Sequence, residues 1–255
     1  ILDPINDSIY FETHLRVPNE TSTNPMGLFY ISGSDIKVEV YIDRSTPDVA
    51  SATFEIMSGT FIDSITTQNF EKDKFNHVSF GINRNTSLIE AFVNGEKDEN
   101  GTKTYTGGNI SFNDNLNILR SGNKISGGGV YENFSGSIKD FRVYHGERKS
   151  REIKRDLKRT VYKSGNLKLN FRFNEPTGSY SIENYVLDTS GNSLHSKVVN
   201  FDRNARLPVD GVDSPVKNEN KSRNHILFPD YYEVLSLNNI LLTSGSSYDK
   251  INPNL

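Results

Sequence analysis

Paired carboxylates are the first chemistry to look for in a chain whose side chains alternate along strands. Acids spaced Glu-x-Asp-x-Glu on one strand would converge on one face as acid, nucleophile and orienting group for glycoside cleavage. No such triplet occurs. The nearest acidic clusters, Glu71-Lys72-Asp73 and Asp98-Glu99, have the wrong spacing and read as solvated loops. Histidines 14, 77, 145, 195 and 225 stand too far apart along the chain for metal-ligand spacing. His77, just before an apolar alternating run, reads as a packing residue. There is no cysteine, which excludes disulfides, thiol chemistry and Cys-based zinc sites. Gly127-Gly128-Gly129 lacks the following Lys-Ser/Thr and helix of a phosphate loop and reads as a connection between strands. These patterns predict a protein that is not an enzyme and carries no cofactor.

Binding chemistry is better represented. Tyr105, Tyr131, Glu132 and Asn133 combine aromatic faces with an amide and a carboxylate, a composition suited to sugar recognition. The chain has no Trp, so stacking on a sugar falls to Tyr. Asp35, Asp43, Asn113, Asp114 and Asn115 are oxygen-rich loop residues that keep calcium open as a ligand, although no EF-hand order is present and no metal site is assigned. Asp188, Ser190 and Asn192 also offer oxygens, but Asp, Ser, Gly and Asn are what a tight turn demands, and the segment reads as structural.

The elements that must position these residues are strands. Ile9 to Val17 alternates, with Phe11, Thr13, Leu15 and Val17 on one face. Leu28–Ile31 is a short strand, and Ile36, Val38, Val40 and Ile42 share a face of the next. Ser51–Ile56 and Thr60–Thr66 flank a Ser58-Gly59 turn. Val78, Phe80 and Ile82 lead through a polar loop into Leu88–Val93, and Asn94-Gly95 is a strong turn signal because both residues tolerate positive φ. Asn109–Phe112 and Leu116–Leu119 read as further strands. Phe134, Gly136 and Ile138 share one parity and Phe141 and Val143 the other, which predicts a β-bulge near Lys139-Asp140. Ser150–Lys158 is a short charged helix, with Ile153 and Leu157 one turn apart and Ser150 as N-cap. Leu167, Leu169, Phe171 and Phe173 alternate again, and Leu227–Leu242 reads as an amphipathic helix.

Composition sets the remaining bounds. The 255 residues permit one large β-domain or two smaller units. Apolar residues are 34%, with 15 Phe and 12 Tyr, which suits a thin sandwich core. A net charge of −3, with both signs well mixed, leaves no basic stripe for nucleic acid and no polybasic patch for anionic membrane. No apolar run approaches the roughly 18 residues of a membrane span. Sequons at Asn19, Asn85, Asn109 and Asn133 follow from the Asn excess. The start at Ile1, without a leader-like segment, predicts a mature product or a piece of a longer chain.

The Phe75–Phe80 strand, the Ile89–Gly95 hairpin with its Val-Asn-Gly turn, and the Phe134–Tyr144 close together resemble the laminin-G / concanavalin-like family. The Asp188–Asn192 turn resembles the opening of the same family. The resemblance implies an all-β antiparallel sandwich, a concanavalin-like jelly roll, with short C-terminal helices and a small appended β-module. Residues 1–160 would be the sandwich. Residues 161–225 would be appended strands and linker, completing that sandwich or starting a second module. Residues 226–255 would be an interaction tail, with Leu227, Phe228, Tyr231, Tyr232 and Leu235 as a partner surface. The motifs carry no catalytic residue. The tail is similar to segments of large bacteriophage tail and baseplate proteins. The expectation is a non-enzymatic structural or adhesion domain of a large virion or surface assembly that binds host-surface glycans. Its partners would be neighbouring domains or subunits. The alternative is a free-standing carbohydrate-binding module or lectin.

Overall fold

The computed structural model describes residues 2–198, except 115, 120–121, 124–128, 162–163 and 176–183. In chain order the strands are β1 (Ile9–Arg16), β2 (Ser22–Ser32), β3 (Ile36–Arg44), β4 (Val49–Ser58), β5 (Phe61–Thr66), β6 (Phe70–Glu71), β7 (Phe75–Asn83), β8 (Leu88–Val93) and β9 (Glu96–Thr104). Then come β10 (Asn117–Ile118), β11 (Gly122–Asn123), β12 (Val130–Tyr131), β13 (Ser137–His145), the helix α1 (Ser150–Asp156), β14 (Leu167–Phe171), β15 (Tyr185–Val186) and β16 (Ser196–Lys197). Two antiparallel sheets form the sandwich. One has the order β14-β13-β1-β7-β8-β9, the other β10-β2-β3-β4-β5.

Alternation decides what each sheet turns inward. Ile9, Phe11 and Leu15 of β1, Val78, Phe80 and Ile82 of β7, and Val38, Val40 and Ile42 of β3 all enter the core. Its centre is aromatic. Phe11 lies 4.7 Å from Phe29, Phe29 meets Phe141 edge-on at 5.4 Å, and Phe54 stacks on Phe80 at 5.5 Å with the rings 8° apart. Both faces of β1 are covered. Tyr10, Glu12 and His14 point away from the core and are still buried.

The bulge expected from the parity slip lies at Asp140. Glu12 pairs with Arg142 while His14 pairs with Lys139, so β13 carries one extra residue there. Asp140 takes φ +53° to accommodate it. At the β8–β9 turn Asn94 and Gly95 have φ +51° and +81°. A side chain at Gly95 would also meet Leu157 Cδ2 at 2.6 Å, so the same glycine lets the turn sit under α1.

Several expectations are corrected. β9 is a full edge strand where the sequence read only a turn and loop. Its Glu-Lys-Asp-Glu-Asn run lacks apolar alternation, and such charged composition suits an edge. Asp98 is therefore a strand residue and buried, accepting the Gln68 N–H. Asn109–Phe112 contributes only an isolated bridge, Ile5 to Ile110. The N-cap of α1 is Lys149, not Ser150, because the Glu152 carboxylate reaches back to accept the Lys149 N–H at 3.0 Å. Among the described residues β14 extends the first sheet beside β13, and β15 and β16 pair with each other. Asp188 Oδ1 accepts the Asn170 and Ser190 N–H groups at 2.9 Å, and the Asn192 amide donates to Leu167 O and Lys168 O. That turn ties itself to β14. The tail helix and the surface of Leu227, Phe228, Tyr231, Tyr232 and Leu235 lie outside the described residues.

Phe54 is fully buried, so Phe54→Ala should destabilise the fold by about 3–5 kcal/mol, read as a lower urea midpoint. A loss below about 1 kcal/mol would mean the Phe54–Phe80 stack does not hold the sheets together.

Candidate functional site

The strands that send Val38, Val40, Phe54 and Ile56 inward send their alternate residues out. On the outer face of the second sheet, register aligns them in rows. Tyr30 pairs with Glu39, Glu39 with Glu55, and Glu55 with Ser64. In the adjoining row Tyr41 pairs with Thr53 and Thr53 with Thr66. The Thr53 and Thr66 hydroxyls are 2.9 Å apart.

β12 lays Tyr131 over this face. Its position is set by a parallel bridge between Met26 and Glu132 and by the Glu132 N–H, which donates to Pro25 O at 2.9 Å. The Tyr131 hydroxyl donates to Glu39, and its ring lies 5.4 Å from that of Tyr41. Glu39, Glu55 and Tyr131 are 1%, 5% and 4% exposed, while Tyr30 and Tyr41 are half-buried. Burial, then the Glu39 carboxylate, pushes the Tyr131 phenol up; burial does the same at Tyr41. Glu55 Oε1 is buried and makes no hydrogen bond. It is a buried acceptor still lacking a donor, in a row with Glu39, tyrosines and hydroxyls.

Beside this face Glu132 accepts from Arg44, from Ser22 Oγ at 3.2 Å and from Asn24 Nδ2 at 3.2 Å. The Asn24 hydrogen bond and the Arg44 guanidinium hold its carboxyl below the usual range. Asn133 is exposed next to it. Tyr131, Glu132 and Asn133 are thus brought together. Tyr105 is not with them: it is 3% exposed inside the core, edge-on to Phe61 at 5.4 Å, with its hydroxyl donated to Gly108 O at 2.9 Å. The sequence reading missed Glu39, Glu55 and Tyr41. A search for acids along one strand cannot see a pair built from two strands. The available signal was the polar residue between apolar neighbours in Val38-Glu39-Val40 and Phe54-Glu55-Ile56.

Among the described residues no group of three or more His, Cys, Asp or Glu is placed to hold a metal ion. Of the oxygen-rich candidates, Asp114 accepts from Ser32 and Asp43 from the Ser45 N–H, and Asn115 lies outside the described residues. One cluster of carbonyls does converge on a cation, and the cation is Lys72. Its Nζ donates to Glu20 O at 3.0 Å, Arg44 O at 3.0 Å and Thr46 O at 2.7 Å. Lys72 is buried rather than in a solvated loop, and burial draws its ammonium below the ordinary lysine value, with the Arg44 charge adding to it.

A family model described as the concanavalin A-like lectin/glucanases superfamily matches residues 11–154. The chain belongs to that superfamily. Among solved structures, this superfamily member is similar to a Bacteroides ovatus protein provisionally named as carbohydrate binding. The identity is 16% and the TM-score 0.53, over 76% of this chain and 54% of that one. The chain therefore spans about half of that relative. A pentraxin from Limulus polyphemus is 16% identical at TM-score 0.44, over 59% of this chain and 69% of that one. The carbohydrate-binding module of a Ruminococcus gnavus sialidase, solved with sialyllactose, is 17% identical at TM-score 0.45, over 60% and 83%. No curated protein matches.

Lys72→Met keeps the stem and removes the charge, leaving three carbonyls without their donor. It should cost about 1–3 kcal/mol by thermal or urea unfolding, while Lys74→Met, at an exposed neighbour, should cost less than about 0.5 kcal/mol.

Proposed function

We propose that this chain is a non-catalytic carbohydrate-binding domain that holds sugar on the outer face of its second sheet. The observation that carries the reading is the row Tyr30–Glu39–Glu55–Ser64 with Tyr41 beside it. Half-buried tyrosine rings offer flat apolar surface to the C–H face of a pyranose, while an acceptor and hydroxyls beside them match the sugar's hydroxyl groups. Glu55 supplies the acceptor and Ser64 and Thr66 the hydroxyls. Glu39 is committed to the Tyr131 hydroxyl, so in this reading it stiffens the face and does not act as a catalytic acid. Membership of a lectin-containing superfamily and the fold shared with the Bacteroides ovatus protein support a binding role.

Within that role, the domain would serve adhesion on a large surface or virion assembly, outside the cell, with host-surface glycans and neighbouring subunits as partners. The mixed surface charge and the use of hydrogen bonds and Lys72 in place of disulfides are compatible with it.

A broad glycan array tests the reading. Specific binding is expected, and Tyr41→Ala or Glu55→Gln should weaken it by about tenfold or more. Chelation of calcium should leave it unchanged, since Lys72 fills the carbonyl cluster. A blank array from folded protein, or variants that bind like the parent, would overturn the proposal.

A further inference from the structure

The outer face of the first sheet is built differently. β1 and β7 place His14 directly opposite His77, with ring centroids 4.9 Å apart and both side chains 1% exposed or less. They lie under α1 and its C-terminal flank. His14 Nε2 donates to Leu157 O, the C-cap of α1, at 3.0 Å. That bond fixes the neutral tautomer and leaves Nδ1 as a lone pair 3.9 Å from Asp140 Oδ2. Neither ring nitrogen of His77 makes a hydrogen bond, and its Nε2 stands 3.6 Å from Glu12 Oε2.

Buried charges surround the pair. Glu12 and His14 come from β1, His77 from β7, and Lys139, Asp140 and Arg142 from β13. Arg148 and Asp156 come from α1 and the residues before it. All are under 10% exposed. With both imidazoles neutral, Lys139, Arg142, Arg148 and, beside Lys139, Arg172 already outnumber Glu12, Asp140 and Asp156 by four to three. Arg155 and Arg159 reach Asp156 from the more exposed rim and add positive charge. A proton on either histidine leaves an unbalanced cation in a desolvated cluster, which is costly.

The same anions that would answer that proton hold the helix. Arg148 bridges Glu12 Oε1 at 2.9 Å to Asp156 Oδ2 at 3.0 Å. Arg142 lies 3.7 Å from Asp140 and donates to Asp156 O at 3.1 Å. A protonated His77 draws Glu12 from Arg148. A protonated His14 gains an N–H aimed at Asp140, turning the ring from Leu157 O and drawing Asp140 from Arg142. The strands are hydrogen-bonded on both sides and cannot part cheaply. A helix of seven residues has no stability of its own away from the sheet.

We propose that His14 and His77 form an acid-sensitive latch, which holds α1 on the sheet when neutral and frees it on protonation. Release would uncover Tyr10, Phe92 and Tyr144, now buried with Ile153. The sign agrees with the electrostatics. Burial, then the repulsion that a proton on His77 would add and the Arg142 and Lys139 charges, holds His14 well below the ordinary imidazole value. Latch stability is then complete above about pH 6.5 and is lost as pH falls below it.

Hydrogen exchange of the whole chain tests this at about pH 7.5 and about pH 5, corrected for intrinsic rates. Protection at Ile153–Leu157 should fall by about tenfold or more at the lower pH while β7 and β8 stay protected. His14→Gln with His77→Gln should abolish the difference. Unchanged protection of α1 in the parent, equal loss across all strands, or the same loss in the double variant would overturn the latch. Should the double variant not fold, the His14 and His77 ring resonances of the parent decide. They must titrate with the loss of α1 protection, and an imidazole pair still neutral when α1 opens would overturn it.

Discussion

The stack of Phe54 on Phe80 is the contact on which the rest of the molecule depends. It joins β4 of one sheet to β7 of the other at the centre of a thin core. Each such ring contributes about 1.5–3 kcal/mol of burial, but its larger effect is on parity. With Phe54 inward, Glu55 and Thr53 must point out; with Phe80 inward, His77 and Ser79 must take the other face. A slip of one residue would carry Glu55 into the core and would be prohibitive. The aromatic interior thus writes the chemistry of both exteriors.

Those exteriors are put to different uses. On the first sheet a short helix and its flanking arginines close over Glu12, His14 and His77, so a charged cluster is desolvated. Burial raises the Glu12 carboxyl, but His77 and Arg148 outweigh that and bring it to about 2, so it stays ionised at any physiological pH. Arg148 also lies 4.0 Å over the Tyr144 ring, joining the ion pairs to the apolar patch under the helix. On the second sheet no helix among the described residues covers the face. A two-residue strand lays one tyrosine on it, and Tyr30, Tyr41, Ser64 and Thr66 keep contact with solvent.

Much of the sandwich was legible in the sequence because Ile36–Ile42 and Val78–Ile82 alternate strongly and Leu88–Val93 is apolar at every position but Glu90. The Asn94-Gly95 turn and the bulge at Asp140 were legible because they break that alternation in known ways. β9 was not, since an edge strand with water on it needs no apolar parity. The site was legible only in part. Tyr131, Glu132 and Asn133 are neighbours in sequence, so their proximity was free. The Glu39–Glu55 and His14–His77 pairs are products of cross-strand register, which a single strand's spacing does not reveal. Tyr105 looked like a loop aromatic, yet its ring turned inward once Phe61 offered it a partner.

The outer face of β3 and β4 is the ligand face proposed for this domain. The most direct measurement is amide chemical-shift mapping of the isotope-labelled chain titrated with a panel of mono- and disaccharides. Saturable shifts are expected along Lys37–Asp43 and Ser51–Met57, extending to Tyr131. Shifts confined to the Tyr105–Ile110 connection, or to β8 and β9, would contradict it.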